Sequence, residues 1–308
     1  MEMSSYQSYL NINTIYERLK TISGNPSIIE KIQQCLKSWD YDSISTIEQY
    51  KEDIDQVVEE LRSFLFANIE SEEVSQLIKE FILCDIYDKL FGFVKKCCIK
   101  EDIKLYEVSK RFCKTNGSPK QLGDTFYSFV PKTAVVELSM LSTLRTPLEK
   151  LKCLLSFYDY IFAEVKGNLI SVISKYSDKE IDIPFIDNKE VIPIVMAVIL
   201  KSKLFYPWSE LFYIKHLGGD HLENHKNFSE VFKVYEESLN NILKLENFVS
   251  TCMSKTKTLN DTMTVCETIN FIEKQHNVQN VQNGTVFSEE KKRVATLISK
   301  ATTEELIE

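Results

Sequence analysis

Glycine and proline are scarce, at eight and seven in 308 residues. The chain has no glycine-rich phosphate loop and no nucleophile elbow, so a nucleotide hydrolase or an α/β-hydrolase is unsupported. Positive charge is short as well, with a formal net charge of −8. That argues against a binder that tracks nucleic-acid phosphates. It also argues against docking on an anionic membrane, because no local basic patch stands out. Lys291-Lys292-Arg293 is short and follows Glu289 and Glu290. The cysteines are Cys35, Cys84, Cys97, Cys98, Cys113, Cys153, Cys252 and Cys266, and none forms a CxxC pair. Reduced cytosolic thiols are expected rather than a disulfide framework. Met1-Glu2-Met3-Ser4-Ser5 lacks the basic and apolar regions of a signal peptide, Glu2 does not fit myristoylation, and the final residues are not a prenylation box. His221 and His225 have helical i, i+4 spacing, but no HExxH frame accompanies them or His216, so no metal site is expected.

What is present is ordinary for a soluble globular protein: 44% hydrophobic and 27% charged residues. Most segments carry apolar residues at three-to-four spacing, which predicts an all-α protein. One stretch organises the rest. Val191 to Leu200 is unbroken apolar sequence behind an acidic lead-in, ending at Lys201-Ser202-Lys203. As a helix it is apolar on every side and must be covered all round. It is about half the roughly 20 residues that a membrane span needs, so it reads as a central core helix and no transmembrane segment is expected. Glu190 falls in its first turn, where free N–H groups favour a carboxylate. Pro193 lies slightly too deep for a helix starting at Asn188, so an irregular first turn is expected.

Residues 1–45 suggest short helices broken near Gly24-Asn25-Pro26 and Trp39-Asp40. From Thr46, Ile47, Tyr50, Ile54, Val57, Leu61 and Phe64 mark one stripe of a long helix. Ser71 is a candidate cap for the next, expected to reach about Lys96, and a further helix ends near Phe112. Two long antiparallel helices with a short link suggest a bundle. A helix from Lys132 carries Val135, Val136, Leu138 and Leu141. Thr146-Pro147-Leu148-Glu149 is a capping-box pattern with proline at the first helical position. Pro207 opens a helix that stops at Gly218-Gly219. The last well-patterned helix has Phe228, Val231, Tyr235, Leu239, Ile242 and Leu245 on one face. Phe205, Tyr206 and Trp208 form an aromatic cluster with two open readings, a partner hot spot or core. Beyond Val249 the chain turns polar, with a terminal helix expected at 288–307.

Three ordered blocks carry a resemblance. Tyr87-Asp88-Lys89-Leu90-Phe91 resembles the opening of the vacuolar-protein-sorting-nine (VPS-9) domain of Rab guanine-nucleotide exchange factors. Pro147 to Leu154 is similar to that family's P-x-x-K-L-x-C helix. Glu190-Val191-Ile192-Pro193, Val198 to Lys201 and Leu211 to Ile214 follow its pattern D-x-L-P, two β-branched residues with a Leu-Lys, and x-Y-I, without a gap. The ankyrin-repeat branch typified by Varp looks nearest, although no ankyrin repeats are visible.

The resemblance implies an all-α architecture, with a helical bundle followed by a layered VPS-9-type domain around a buried central helix at about 190–203. The expected division is 1–84 for the N-terminal helices and bundle, 85–250 for the VPS-9-like domain, and 251–308 for a polar linker and C-terminal helix. It implies exchange on early-endosomal, Rab-five-like GTPases, with no cofactor and no covalent chemistry, in the cytoplasm and peripheral to early endosomes through partners. The family's acidic finger aligns with Glu190, where the family has Asp. Pro193, Tyr213, Phe228 and Val231 are the implied partner-binding positions. The family's Gly-Tyr-Tyr block is replaced by Ser229-Glu230-Val231, and a one-residue slip brings Phe228 near it. A weak or inactive VPS-9-like scaffold, or an unrelated helical adaptor, remain as alternatives.

Overall fold

The computed structural model describes residues 12–37, 39, 44–66, 72–123, 125, 127–176 and 188–245. The polar segment and terminal helix expected beyond residue 250, and the Ser71 cap, lie outside them. The described residues form α1 (Ile12–Ser23), α2 (Ile28–Lys37), α3 (Ile47–Leu65), α4 (Glu72–Asp85), α5 (Tyr87–Lys114) and α6 (Lys132–Ser139). They continue as α7 (Pro147–Tyr176), α8 (Asn188–Lys201), α9 (Pro207–Leu217), α10 (Gly219–Asn224) and α11 (Lys226–Lys244). Short 3-10 turns occupy Pro119–Gln121 and Met140–Thr143, and no strand occurs among the described residues. The architecture is all-α, as the periodicity predicts.

The predicted capping box at Thr146 forms, and a second one occurs at Thr46. Thr46 accepts from the Gln49 N–H at 3.2 Å, and Gln49 returns to the Thr46 N–H at 3.3 Å. Thr146 and Glu149 do the same at 3.3 and 3.1 Å, fixing where α7 begins. Farther along α7, Glu164 accepts the first N–H groups of α6, those of Lys132 at 2.9 Å and Thr133 at 2.7 Å. That carboxylate satisfies donors a helix start leaves unpaired and places α6 across α7.

The expected single helix from 71 to 96 is instead two. Ile86 sits at φ −88° and ψ 0°, a sparsely populated backbone region. The chain bends there although the Ile86 N–H still reaches Ile82 O at 3.0 Å. The apolar spacing hides this bend, because Phe81, Ile82, Ile86 and Leu90 all enter the same core. After the bend α5 runs 28 residues without a break, absorbing the separate helix expected near 99–112. Two stripe assignments also change. On α3 Val58 is buried where Val57 is expected and Phe64 is exposed, and Val136 faces outward on α6 while Ala134 is buried. Chain ends and narrow stripes admit a one-position rotation that spacing alone does not resolve.

Two hydrophobic cores result. The first joins α1 to α4 with the first half of α5, and the second joins the last half of α5 with α6, α7, α8, α9 and α11. α5 and α9 feed both, since Tyr213 and Leu217 enter the first core and Leu211 and Ile214 the second. α8 lies inside the second, with no residue from Ile194 to Leu200 more than 4% exposed.

Where the cores meet, Lys150 Nζ lies 2.7 Å from Glu210 Oε2, and both side chains are essentially inaccessible. The ammonium also donates to Tyr87 Oη at 3.1 Å and Leu141 O at 3.0 Å. It sits against the rings of Tyr87, Phe91 and Tyr213. Burial pushes the Glu210 carboxyl up to about 7 and the Lys150 ammonium down, each opposed by the other's charge. A second buried carboxylate, Asp102 of α5, accepts the Trp208 N–H at 2.8 Å and the Ser209 N–H at 3.3 Å, capping α9 from another helix.

These features give two stability predictions. Lys150→Met leaves a buried carboxylate unpaired and should cost about 3–5 kcal/mol, whereas Lys150→Met with Glu210→Leu should recover most of it; urea unfolding of both reads the difference. Because the folded Glu210 holds its proton up to about pH 7 against 4.5 unfolded, its stabilising effect is full below pH 4.5 and is lost as pH rises to about 7. Glu210→Gln should flatten that slope in thermal unfolding scans. Separately, Gly167 lies on α7 with nothing within 4 Å of an added Cβ, so Gly167→Ala should stabilise by about 0.5–1 kcal/mol in the same urea assay.

Candidate functional site

The site is assembled at the first turn of α8. Glu190 is half-buried there, and Pro193 is buried one turn on. The helix runs continuously from Asn188 through Pro193 to Lys201, where an irregular first turn is expected from Pro193. What covers this end is the segment between α5 and α6. A Cβ on Gly123 would come within 2.8 Å of Pro193 Cγ, an approach only glycine allows without displacement. Tyr127 is buried in the second core, with its ring edge-on to Phe129 at 6.4 Å. Burial, and then the negative charge of Glu190, raise the Tyr127 phenol well above its ordinary range. The phenol is therefore a neutral neighbour of the Glu190 carboxylate at physiological pH. Neither residue stands out in the sequence, because the segment has no period to read.

α6 and α11 flank α8 on other sides. Val231 of α11 is buried in the core that holds Val191 and Ile194, and Phe228 packs partly buried against that core with His225 beside its ring at 5.4 Å. Ser229 is half-buried and Glu230 exposed. Tyr213 is apart from this site. It is wholly buried, donates to Arg145 O at 2.8 Å, and meets the Tyr87 and Phe91 rings edge-on. It is a core residue where the two cores join, out of reach of a partner's surface. Pro193 and Val231 shape the site from beneath, so Glu190 and Phe228 are the implied contact positions with accessible surface.

The histidines are engaged separately. His221 Nε2 lies 3.0 Å from both Glu80 and Gln76, His216 lies tilted against Phe212 at 4.1 Å, and His225 meets Phe228. Among the described residues no group of three or more metal-ligating side chains occurs. The described cysteines, Cys35, Cys84, Cys97, Cys98, Cys113 and Cys153, are free thiols. No described helix is long and apolar enough to cross a membrane.

With α5, α6, α7 and α11 packed on a buried α8, the chain can be compared with known protein families. Residues 132–247 match the family model of the Vacuolar sorting protein 9 (VPS9) domain. The match begins at the first residue of α6 and passes the end of α11, so it holds the second and third sequence blocks and leaves the Tyr87–Phe91 block outside, in α5. No curated protein matches the chain. A VPS9 domain indicates guanine-nucleotide exchange on Rab GTPases in general, a non-covalent role with a small GTPase as partner.

The packing over Pro193 can be probed directly. Gly123→Val should cost about 1–3 kcal/mol through overpacking, measured as a lowered urea midpoint, whereas Gly219→Ala, with nothing within 4 Å of its Cβ, should change it far less.

Proposed function

We propose that this protein is a guanine-nucleotide exchange factor for early-endosomal, Rab-five-like GTPases, with Glu190 as its acidic finger. The observation that supports this most is the placement of one carboxylate at the exposed end of an otherwise buried helix, inside a VPS9 match. Such a carboxylate can enter a GTPase's nucleotide site and take the phosphates' place as counter-charge to the phosphate-loop lysine. Magnesium and the β-phosphate then lose their binding energy together. α8 cannot yield without exposing apolar surface, so the carboxylate enters from a fixed platform. Glutamate adds one methylene and one rotamer to the family's aspartate. The half-buried setting beside Tyr127 and Pro193 limits that added freedom. Phe228 is a partly buried apolar side chain on α11 that keeps accessible surface suited to hold the GTPase's first switch loop. The protein would act in the cytoplasm, peripheral to early endosomes, with residues 85–250 as the exchange unit and 1–84 as its supporting bundle.

A second reading is a VPS9-like scaffold that binds a Rab without exchange. It is favoured by the position of the family's tyrosine pair, taken here by exposed Glu230 and buried Val231. Release of a fluorescent guanine nucleotide from Rab-five-like GTPases separates the two. Wild type should accelerate release, Glu190→Asp should retain activity, and Glu190→Ala should lower it by about 100-fold or more. Inactivity of the wild type across that group, with Rab binding retained, would select the scaffold.

A further inference from the structure

The far end of α8 carries a surface the exchange reading does not use. Beyond Lys201 the chain turns through Lys203, a non-glycine residue at φ 57°, and exposes Phe205 and Tyr206, with Phe205 67% accessible. Facing them on α5 are Ile99, Ile103 and Tyr106, all exposed and at i, i+4 and i+7. Tyr106 stacks on Phe205 at 6.4 Å and 19°. The two ridges enclose a depression of about 220 Å³ whose floor includes Asp102. That carboxylate is already committed to capping α9, so the floor offers no free charge. The rim is basic: Lys96, Lys100, Lys110 and Lys203 are exposed, and Lys95 lies over the Tyr206 ring at 5.1 Å. Besides Asp102, the acidic side chain Glu107 on this face of α5 is paired with Arg111 at 3.9 Å. No run of sequence reveals this patch; the fold collects it from helical spacing and a distant loop, in a chain of net charge −8.

We propose that this groove is the docking site for an acidic amphipathic helix of a partner protein. An apolar trough between two ridges accepts the i, i+4, i+7 side chains of such a helix, and its flanking carboxylates meet the lysine rim. A bilayer would be met better by a protruding apolar edge than by a recess. Lys203 holds a backbone conformation natural to glycine, and the lysine there completes the rim on the loop side. The proposal is independent of exchange activity.

The test uses the full chain and two labelled helical peptides of about 18 residues with the same leucine stripe, one flanked by glutamates and one by lysines. Fluorescence anisotropy should show the acidic peptide binding at least about tenfold more tightly than the basic one. Ile103→Asp with Phe205→Asp, whose side chains are exposed, should weaken it by about tenfold or more with an unchanged circular dichroism spectrum. Lys100→Glu with Lys203→Glu should reverse the preference between the peptides. Equal binding of the two peptides, no binding of either, or indifference to these variants would overturn the proposal. So would phosphatidylserine vesicles that sediment the wild type but not the Ile103/Phe205 variant, which assigns the groove to membrane, or a fall in solution mass in that variant, which assigns it to a second copy.

Discussion

A helix without a polar side must be surrounded, and α8 sets that demand for the whole second half of the molecule. From Ile194 to Leu200 it offers water nothing. Burial of one such side chain is worth about 1.5–3 kcal/mol, so each neighbour of α8 is drawn onto it from a different direction. α5, α6 and α11 pack on it directly, and α7 closes behind α6 and α11. The layered arrangement follows from covering one rod on every side. So does the placement of polar groups, which can stand only at the rod's two ends: Glu190 at one and Lys201 with Lys203 at the other. α8 spans 14 residues, or about 21 Å between those ends.

Covering the rod creates a cost elsewhere. α9 must turn back directly after α8, which drives its first turn, with its unpaired N–H groups, into the interior. Asp102 meets that need from α5. The same crowding buries Glu210 one turn later, and Lys150 is its counter-charge. Neither pair is needed to hold helices together by charge, since desolvation offsets most of the attraction. Their effect is on register. Lys150 contacts Tyr87, Leu141 and Glu210 at once, so α5, the 3-10 turn after α6, and α9 fit only in one mutual alignment around α7. The two cores share α5 and α9 for the same reason, and the bundle is continuous with the domain it supports.

Much of this is written in the sequence, but unevenly. The start of α7 was legible because Thr146 and Glu149 act within one turn, and local hydrogen bonds leave local signatures. The central helix was legible because an all-apolar run has a single physical interpretation at that length. The bend at Ile86 was not, since both of its arms face one core and the periodicity passes through it undisturbed. Tyr127 and Gly123 were not, since their importance lies in what crosses over them in space. Lys150 is an intermediate case. It stands in the motif that marks the family resemblance, at an apolar position of α7, and a lysine inside an apolar face already signals a buried partner. Only the fold identifies Glu210. The aromatic cluster at 205–208 was readable in two ways, and the structure divides it: Trp208 packs partly into the cores, while Phe205 and Tyr206 face solvent.

The two ends of α8 differ in what they can control. A side chain held on a rod that is packed on all sides moves only if the packing moves, and close-packed interiors resist small displacements. Glu190 is therefore presented in a fixed place, as its proposed role as a finger requires. The same rigidity argues that a helix seated between α5 and the Phe205 loop leaves Glu190 where it is. Coupling between the ends would need an element with two stable arrangements, and the residues joining them, Ile194 to Leu200, are locked in one core. Occupancy of the groove would then decide where in the cell the protein acts and beside which partners. The rate at the far end would remain a property of the α8 first turn and the segment packed over it.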